Sequence, residues 1–95
     1  MVQFDELVRF LKHKGINDVF EVLSQFSNFR AEIHQFYNKL NEFSYYNSFF
    51  RVRERLLDAG IIEIKKGRKA NYISLTAKGK EIYRKLTELN DIIKS

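Results

Sequence analysis

The sequence predicts a mainly helical α+β domain with one small β-hairpin, and three observations predict it. Across most of the 95 residues, apolar side chains recur at the three- and four-residue spacing of amphipathic helices. Residues 60–76 instead alternate apolar and polar positions on either side of a basic turn, which is typical of two short paired strands. The composition, 44% hydrophobic with nine Phe and five Tyr, is that of one folded domain with a modest core.

Two helices are predicted at the N-terminus. Residues 1–15 are assigned to the first, which Gly15 ends. Asp18 can cap a second, short helix, which residues 27–28 break. The apolar side of this second helix consists of Val19, Phe20, Val22, Leu23 and Phe26. Residues 29–30 can then add one short strand to the sheet.

Two further helices are predicted in the middle of the chain. The third runs from Ala31 to Asn41, and the short turn Glu42–Ser44 follows it. Ser44 can cap the fourth helix, which runs to Ala59. The inward positions, placed at helical spacing, are Ile33, Phe36, Tyr37 and Leu40 in the third helix and Tyr45, Phe49, Val52 and Leu56 in the fourth.

The hairpin and a last helix complete the predicted domain. Gly60 stops the fourth helix, and residues 61–64 begin an extended run. Residues 65–69 form a turn with four positive charges, in which Gly67 supplies the flexible position. The alternating stretch Asn71–Leu75 forms the second strand, and Thr76 opens a helix that runs nearly to the end of the chain.

Most of the net charge of +5 lies in one region. The stretch from residue 51 to residue 69 carries seven basic and three acidic residues, so it holds +4 of the +5. The seven basic residues are Arg51, Arg53, Arg55, Lys65, Lys66, Arg68 and Lys69. A solvated surface with chance clustering is the alternative, but the cluster spans two adjacent elements. We therefore interpret it as the footprint of a polyanion.

Two motifs carry a resemblance to known regulators. Two helices joined by a short turn, then a hairpin and another helix, is the order of a winged helix-turn-helix. The stretch Leu56–Ile62 (LLDAGII) resembles the L-x-x-x-G-L-I that ends the recognition helix of MarR-, PadR- and ArsR-like regulators. Tyr72–Gly79 (YISLTAKG) resembles their Y-x-L-T-x-x-G at the end of the wing, at the spacing those families use. One departure is Phe43, where those families have a small residue in a tight turn.

The resemblance covers residues 18–94 and implies a division of the single domain, residues 1–95. Residues 18–75 would form the DNA-binding core and wing, and residues 76–95 a dimerisation helix that pairs with residues 1–15. The fourth helix would be the recognition helix. Because such a helix meets base edges mainly through its N-terminal half, Asn47, Ser48 and Arg51 are predicted to contact bases.

The other polar and aromatic residues of the fourth helix take different predicted roles. Arg55 is expected to meet a phosphate, and Tyr46 lies between the two faces and is included among the DNA contacts. Phe50 also lies between the faces. It could touch a thymine methyl group, although packing against the third helix is the commoner fate of such a residue. Arg53 lies near the core side and is expected to be a salt-bridged or snorkelled structural arginine.

The cationic hairpin tip is predicted to contact DNA through Lys65, Lys66, Arg68 and Lys69. Like charges repel, so nothing in folding favours this concentration, whereas phosphates would neutralise it. Arg68 could also enter the minor groove, whose negative potential attracts arginine. The alternative is a solubilising loop that protects the edge of a small sheet.

The terminal helices predict a homodimer on a pseudo-palindromic DNA site. The seam of the last helix is Ile82, Leu86, Leu89 and Ile93, and the apolar face of the first is Phe4, Leu7, Val8 and Leu11. Families similar to this sequence pair their terminal helices across a two-fold axis. The alternative is a monomer whose last helix folds back on its own core.

Neither catalysis nor a metal is predicted. The chain has no cysteine, and its two histidines, His13 and His34, lack companions at ligand spacing. Without a Gly-rich phosphate loop or an activated nucleophile, we expect no enzyme and no cofactor. An aromatic effector pocket is conceivable, as in MarR-like proteins, but the aromatics are more simply core. Short apolar runs and an acidic N-terminus argue against a membrane span or signal peptide, so a cytoplasmic location is expected.

Three functions fit these observations. The first is a dimeric sequence-specific transcriptional regulator that acts as a repressor. The second is a plasmid- or chromosome-partition protein that binds a palindromic site and spreads, because the sequence also resembles small PadR-like segregation proteins of archaeal plasmids. The third, a winged helix that binds only proteins, is disfavoured because such modules usually lose the basic wing. The sequence does not separate the first two functions.

Overall fold

The computed structural model describes residues 4–43 and 46–95, apart from the side chains of Phe43 and Tyr46. The elements of these residues, in chain order, are helices α1 (Asp5–Lys12) and α2 (Lys14–Leu23), a 3₁₀ turn (Ser27–Phe29), strand β1 (Arg30–Glu32), helices α3 (Ile33–Phe43) and α4 (Tyr46–Asp58), strands β2 (Ile62–Lys66) and β3 (Asn71–Leu75), and helix α5 (Ala77–Lys94). The predicted class is confirmed: the domain is mainly helical α+β with a small antiparallel sheet, an arrangement compatible with a winged helix.

The boundary between the first two helices differs from the prediction. Helix α1 ends at Lys12, and Gly15 lies in the first turn of α2. Its lack of a side chain lets α2 approach α4, because a Cβ atom at this position would lie 2.3 Å from the carbonyl oxygen of Ser48. Asp18 is not a helix cap: it lies inside α2 and is buried. Gly15 was predicted to end the first helix, but its role is to allow this close contact between α2 and α4.

The sheet contains the predicted hairpin and the predicted additional strand. Its order is β1-β3-β2, with both neighbouring pairs antiparallel. Phe29 belongs to the preceding 3₁₀ turn rather than to the strand. Because residues 31–32 pair with β3, helix α3 begins at Ile33, two residues later than predicted. Helix α3 also continues through residues 42–43, which were predicted to be a turn.

The core lies between α2, α3, α4 and the inner face of the sheet. The predicted inward faces of the second, third and fourth helices are confirmed for most positions. Buried members of those faces are Val19, Phe20, Val22, Leu23, Phe36, Leu40, Phe49, Val52 and Leu56. Phe26, Ile33 and Tyr37 are partly buried against this cluster. The predicted cap Ser44 and the neighbouring Tyr45 lie outside the described residues.

A capping arrangement joins the hairpin to α5. The side chain of Thr76 accepts a hydrogen bond of 3.0 Å from the backbone N–H of Gly79, as expected for a residue that opens a helix. The Thr76 N–H donates to the carbonyl oxygen of Ile61 at 3.0 Å. A Cβ atom on Gly79 would lie 2.2 Å from that same oxygen, so only glycine allows this approach. The first turn of α5 thus fixes the base of the hairpin.

Candidate nucleic-acid interface

Helix α4 presents a polar face on the side opposite to its buried residues. Phe49, Val52 and Leu56 face the core, whereas Asn47 and Arg51 are exposed. Arg55 and Asp58 are exposed as well, and Ser48 is half-buried at the flank, where α2 crosses near its carbonyl oxygen. The structure therefore leaves Asn47 and Arg51 on one accessible side of the helix and places Ser48 at the edge of that side. The side chain of Tyr46 lies outside the described set.

The arginines of α4 differ in their ionic partners. The Nη1 atom of Arg53 lies 2.7 Å from Oε1 of Glu54, and the Arg53 side chain is 35% exposed. This is the salt-bridged, half-buried arginine that the sequence predicted. In contrast, no carboxylate among residues 4–43 and 46–95 forms an ion pair with Arg51 or Arg55. Both guanidinium groups keep an unneutralised charge.

A histidine distant in sequence orients Arg55. The Nη1 atom of Arg55 lies 2.7 Å from Nε2 of His13, in the link between α1 and α2. Because a guanidinium group only donates hydrogen bonds, this contact uses Nε2 of His13 as the acceptor. Sequence reasoning gave His13 no role. The two residues are 42 positions apart, so no local spacing could have revealed the contact.

The same region contains a cleft of about 410 Å³ between α1 and α4. Arg9 and Arg55 line it together with Glu6, and its apolar wall includes Phe10, Ile16 and Leu56. A second groove, about 480 Å³, lies between α2 and α5 and is lined by Phe20, Leu86 and Leu89 among others.

An aromatic cluster lies between α3 and α4. The ring of Phe49 is buried, with its centroid 5.0 Å from that of Phe36 and 6.1 Å from that of Tyr37. Phe50, the next residue, is 49% exposed although its centroid lies 5.8 Å from that of Tyr37. The expected packing of Phe50 against the third helix is therefore present, but it covers only part of the ring.

The hairpin carries its cations at the end farthest from the core. Strand pairing extends to Lys66 opposite Asn71, and the N–H of Gly67 donates to the carbonyl oxygen of Ala70 at 2.8 Å, which closes the turn. The four predicted wing residues, Lys65, Lys66, Arg68 and Lys69, are all exposed. Among the described carboxylates, only Glu63 pairs with any of them, at 3.8 Å from Lys65. An exposed pair at that distance neutralises little charge.

One further cation joins the sheet from outside the basic stretch. The guanidinium carbon of Arg30, in β1, lies 4.3 Å from the ring centroid of Tyr72 in β3. Such a cation–π contact holds the exposed Arg30 on the outer face of the sheet. A count of charges along the sequence missed it, because strand pairing brings residue 30 beside the hairpin. The two-residue alternation of short strands is the signal that could have indicated it.

The terminal helices leave apolar side chains exposed. Helix α1 has no buried residue, and all four residues of its predicted dimer face, Phe4, Leu7, Val8 and Leu11, are at least 40% exposed. In the predicted seam of α5, Ile82 and Leu86 pack partly on the core, whereas Leu89 and Ile93 are exposed by 43% and 73%. The apolar seam therefore continues past the part of α5 that packs on the core, and its last two residues are left exposed.

The opposite face of α5 is ionic. Arg84 lies 2.6 Å from a carboxylate oxygen of Glu81 and 2.5 Å from one of Glu88, at helical spacings of three and four residues. The hydrogen bond from Arg84 lowers the pKa of Glu81 below its ordinary value and raises the pKa of Arg84. Helix α5 is therefore amphipathic, with ion pairs on one side and the apolar residues of the seam on the other.

The described residues form neither a metal site nor a membrane span. Among residues 4–43 and 46–95, no group of three His, Asp or Glu side chains could hold a metal ion. His34 is exposed on α3. None of the helices within the same two ranges combines the length and the apolar character needed to cross a membrane.

The chain matches no protein-family model, no curated protein and no solved structure. The resemblance to winged-helix regulators therefore depends on the two short motifs and on the order of the elements. A proposal for the function therefore rests on the exposed cations of α4 and the hairpin and on the exposed apolar residues of α1 and α5.

Proposed function

We propose that this protein is a homodimeric, sequence-specific double-stranded DNA-binding protein that acts as a transcriptional repressor. The observation that carries the proposal is the set of exposed cations without ion-pair partners on α4 and on the hairpin. Arg51, Arg55, Lys66, Arg68 and Lys69 pair with no carboxylate of residues 4–43 and 46–95. Unpaired positive charge on α4 and on the hairpin that follows it suits the negatively charged phosphate backbone of a duplex.

In this proposal α4 is the recognition helix and enters the major groove. Arg51 pairs with a guanine and Asn47 with an adenine, the base edges that match their donor and acceptor patterns, and Ser48 reads a neighbouring base. Arg55 binds a phosphate while His13 holds its guanidinium group at 2.7 Å. The contact with His13 restricts a long side chain before DNA arrives, which lowers the entropy cost of binding.

The hairpin acts as the wing and follows the DNA backbone. Lys65, Lys66 and Lys69 meet phosphates, and Arg68 at the tip reaches the minor groove. The hydrogen bonds of Thr76 and the close approach of Gly79 to Ile61 fix the base of the hairpin. The wing therefore has a defined position relative to the core that carries α4.

The dimer forms through α1 and α5, whose exposed apolar faces suit a second copy of the chain. A two-fold axis there would present two α4 helices to half-sites about one helical turn apart, roughly 34 Å. This arrangement requires a pseudo-palindromic site.

A footprinting titration on duplex DNA selected from a random library tests the proposal. We expect enrichment of a pseudo-palindromic sequence and a protected region whose length stays fixed as the protein concentration rises. Protection that extends with protein concentration would instead indicate the spreading of a partition protein. If no duplex sequence is enriched, and affinity for duplex DNA is absent even at low salt, the DNA-binding proposal is wrong.

A further inference from the structure

The ring of Phe50 on α4 is half exposed, although part of it packs against other aromatic rings of the chain. The ring is 49% exposed, whereas the buried positions of the same helix, Phe49, Val52 and Leu56, are at most 4% exposed. An exposed phenyl ring keeps apolar area in contact with water, which is unfavourable. The exposed part of the ring offers apolar area that a molecule outside the chain could cover.

The position of Phe50 places it beside the candidate base-reading residues. On a helix, residues three apart are surface neighbours, so Phe50 lies next to Asn47 and one turn before Glu54 and Arg53. Arg51 follows it directly in the sequence. A molecule that docks on Phe50 therefore meets an apolar ring beside the exposed amide group of Asn47.

The ring is also held in place. Its centroid lies 5.8 Å from that of Tyr37 in α3, with the planes tilted by 38°, and 5.8 Å from that of Phe49, with a tilt of 53°. Tilted aromatic contacts at these distances are favourable. A supported ring with two side-chain torsions loses little freedom when it docks, so its exposed edge is suited to a specific contact.

We infer that Phe50 determines DNA sequence preference by contacting the C5 methyl group of a thymine, beside the base that Asn47 reads. This inference rests on the proposed function. In the major groove the thymine methyl is the apolar group on the base edges, and aromatic or aliphatic side chains read it by contact. The ring thus adds a preference for thymine that the hydrogen-bonding residues of α4 cannot supply.

Replacement of thymine by deoxyuridine tests the inference, because it removes only the methyl group and leaves base pairing unchanged. Each thymine of the selected site is replaced in turn, and the Kd is measured by fluorescence anisotropy. For one position per half-site we expect the wild-type protein to bind roughly fourfold more weakly, the value of one buried methyl group. Phe50→Ala should bind the two DNAs equally at that position.

Two further variants control the measurement. Phe50→Leu keeps an apolar side chain and should retain a preference for thymine, so it separates the contact from any effect on folding. Arg68→Ala should weaken binding to both DNAs and leave the fourfold ratio unchanged, because in the proposed arrangement Arg68 reaches the minor groove and not the thymine methyl group.

Two results would overturn the inference while leaving DNA binding intact: a wild-type protein insensitive to every thymine replacement, or a Phe50→Ala variant that still prefers thymine. If the wild-type protein selects no duplex sequence, the proposed function fails, and the inference fails with it. The outcomes are therefore distinguishable in one set of titrations.

Discussion

The arginines of α4 differ in whether an ion pair within the chain already occupies them. Arg51 is exposed without an ion-pair partner among the described carboxylates, and Arg53 pairs with Glu54 at 2.7 Å. We expect Arg51→Ala to cost roughly 1–3 kcal/mol on the selected site and much less on random duplex DNA, because the hydrogen bonds it removes are specific to one base. Affinities on both DNAs measure this difference.

Arg53→Ala is the matched control, because it removes the same charge from the same helix. Its affinity for the selected site relative to random DNA should stay unchanged. If Arg51→Ala weakens binding to both DNAs equally, Arg51 contacts a phosphate and the orientation of α4 in the groove must be revised.

Gly15 controls how closely α2 approaches α4. In an open helix, alanine would be favoured over glycine by about 0.8–1.0 kcal/mol. Here the added Cβ atom would meet the Ser48 oxygen at 2.3 Å, and we expect Gly15→Ala to lower the free energy of unfolding by roughly 1–3 kcal/mol, as for overpacking. Urea denaturation shows whether the free energy of unfolding falls or rises. Asn38→Ala, at an exposed position of α3, should be neutral or slightly stabilising, and a stabilising Gly15→Ala would contradict the close contact.

Among the elements, the hairpin has the most direct electrostatic test. Replacing Arg68 and Lys69 by Ala should weaken binding to all duplex DNA. The slope of log affinity against log salt should fall by roughly 1–2, at about 0.9 for each phosphate that the variant no longer neutralises. The control is the pair Lys80→Ala and Lys94→Ala in α5, which removes the same charge elsewhere on the surface. An unchanged slope in the hairpin variant, with the fold intact, would mean that the hairpin does not touch DNA.

Elements that depend on local chemistry were predictable from the sequence. The hairpin, the Thr76 cap and the inward face of α4 follow from alternation, capping preference and helical spacing, and the structure confirms them. Features that depend on contacts between residues distant in sequence could not be predicted. Gly15 was interpreted as a helix stop because its reason, the backbone of Ser48, lies 33 positions away.

The same distinction holds at the candidate interface. The exposed cations of α4 and the hairpin were predicted, since a charge cluster and a helical wheel are local patterns. His13 and Arg30 were missed as members, because a hydrogen bond across 42 positions and a strand pairing bring them there. Exposure of Phe50 could not be decided either, because a residue between two faces of a helix is covered or not according to how the neighbouring helix is placed.

At the scale of the whole molecule, the distribution of apolar surface argues for a second subunit. The 18-residue helix α5 is about 27 Å long at the rise of an α-helix, and it packs on the core through Ile82, Tyr83 and Leu86. Beyond Leu86 it exposes Leu89, Ile92 and Ile93, and α1 exposes its own apolar face. Leu11 of α1 lines the same groove as Leu89 and Ile93 of α5. Exposed apolar residues that lie together in this way are typical of an interaction surface.

Leu89→Glu tests the dimer without disturbing the core. Leu89 is 43% exposed, so a single folded chain can keep the new carboxylate in water, whereas a subunit contact would bury it against apolar neighbours without a partner charge. We expect a folded monomer by sedimentation. Binding to the pseudo-palindromic site should weaken strongly, because a lone half-site lacks the second contact that raises the effective concentration.

Lys80→Gln changes the net charge by the same amount on the exposed, opposite side of α5 and should leave both measurements unchanged. A wild-type protein that already sediments as a monomer would end the dimer model, and a Leu89→Glu variant that unfolds would show that this part of α5 belongs to the core of the single chain.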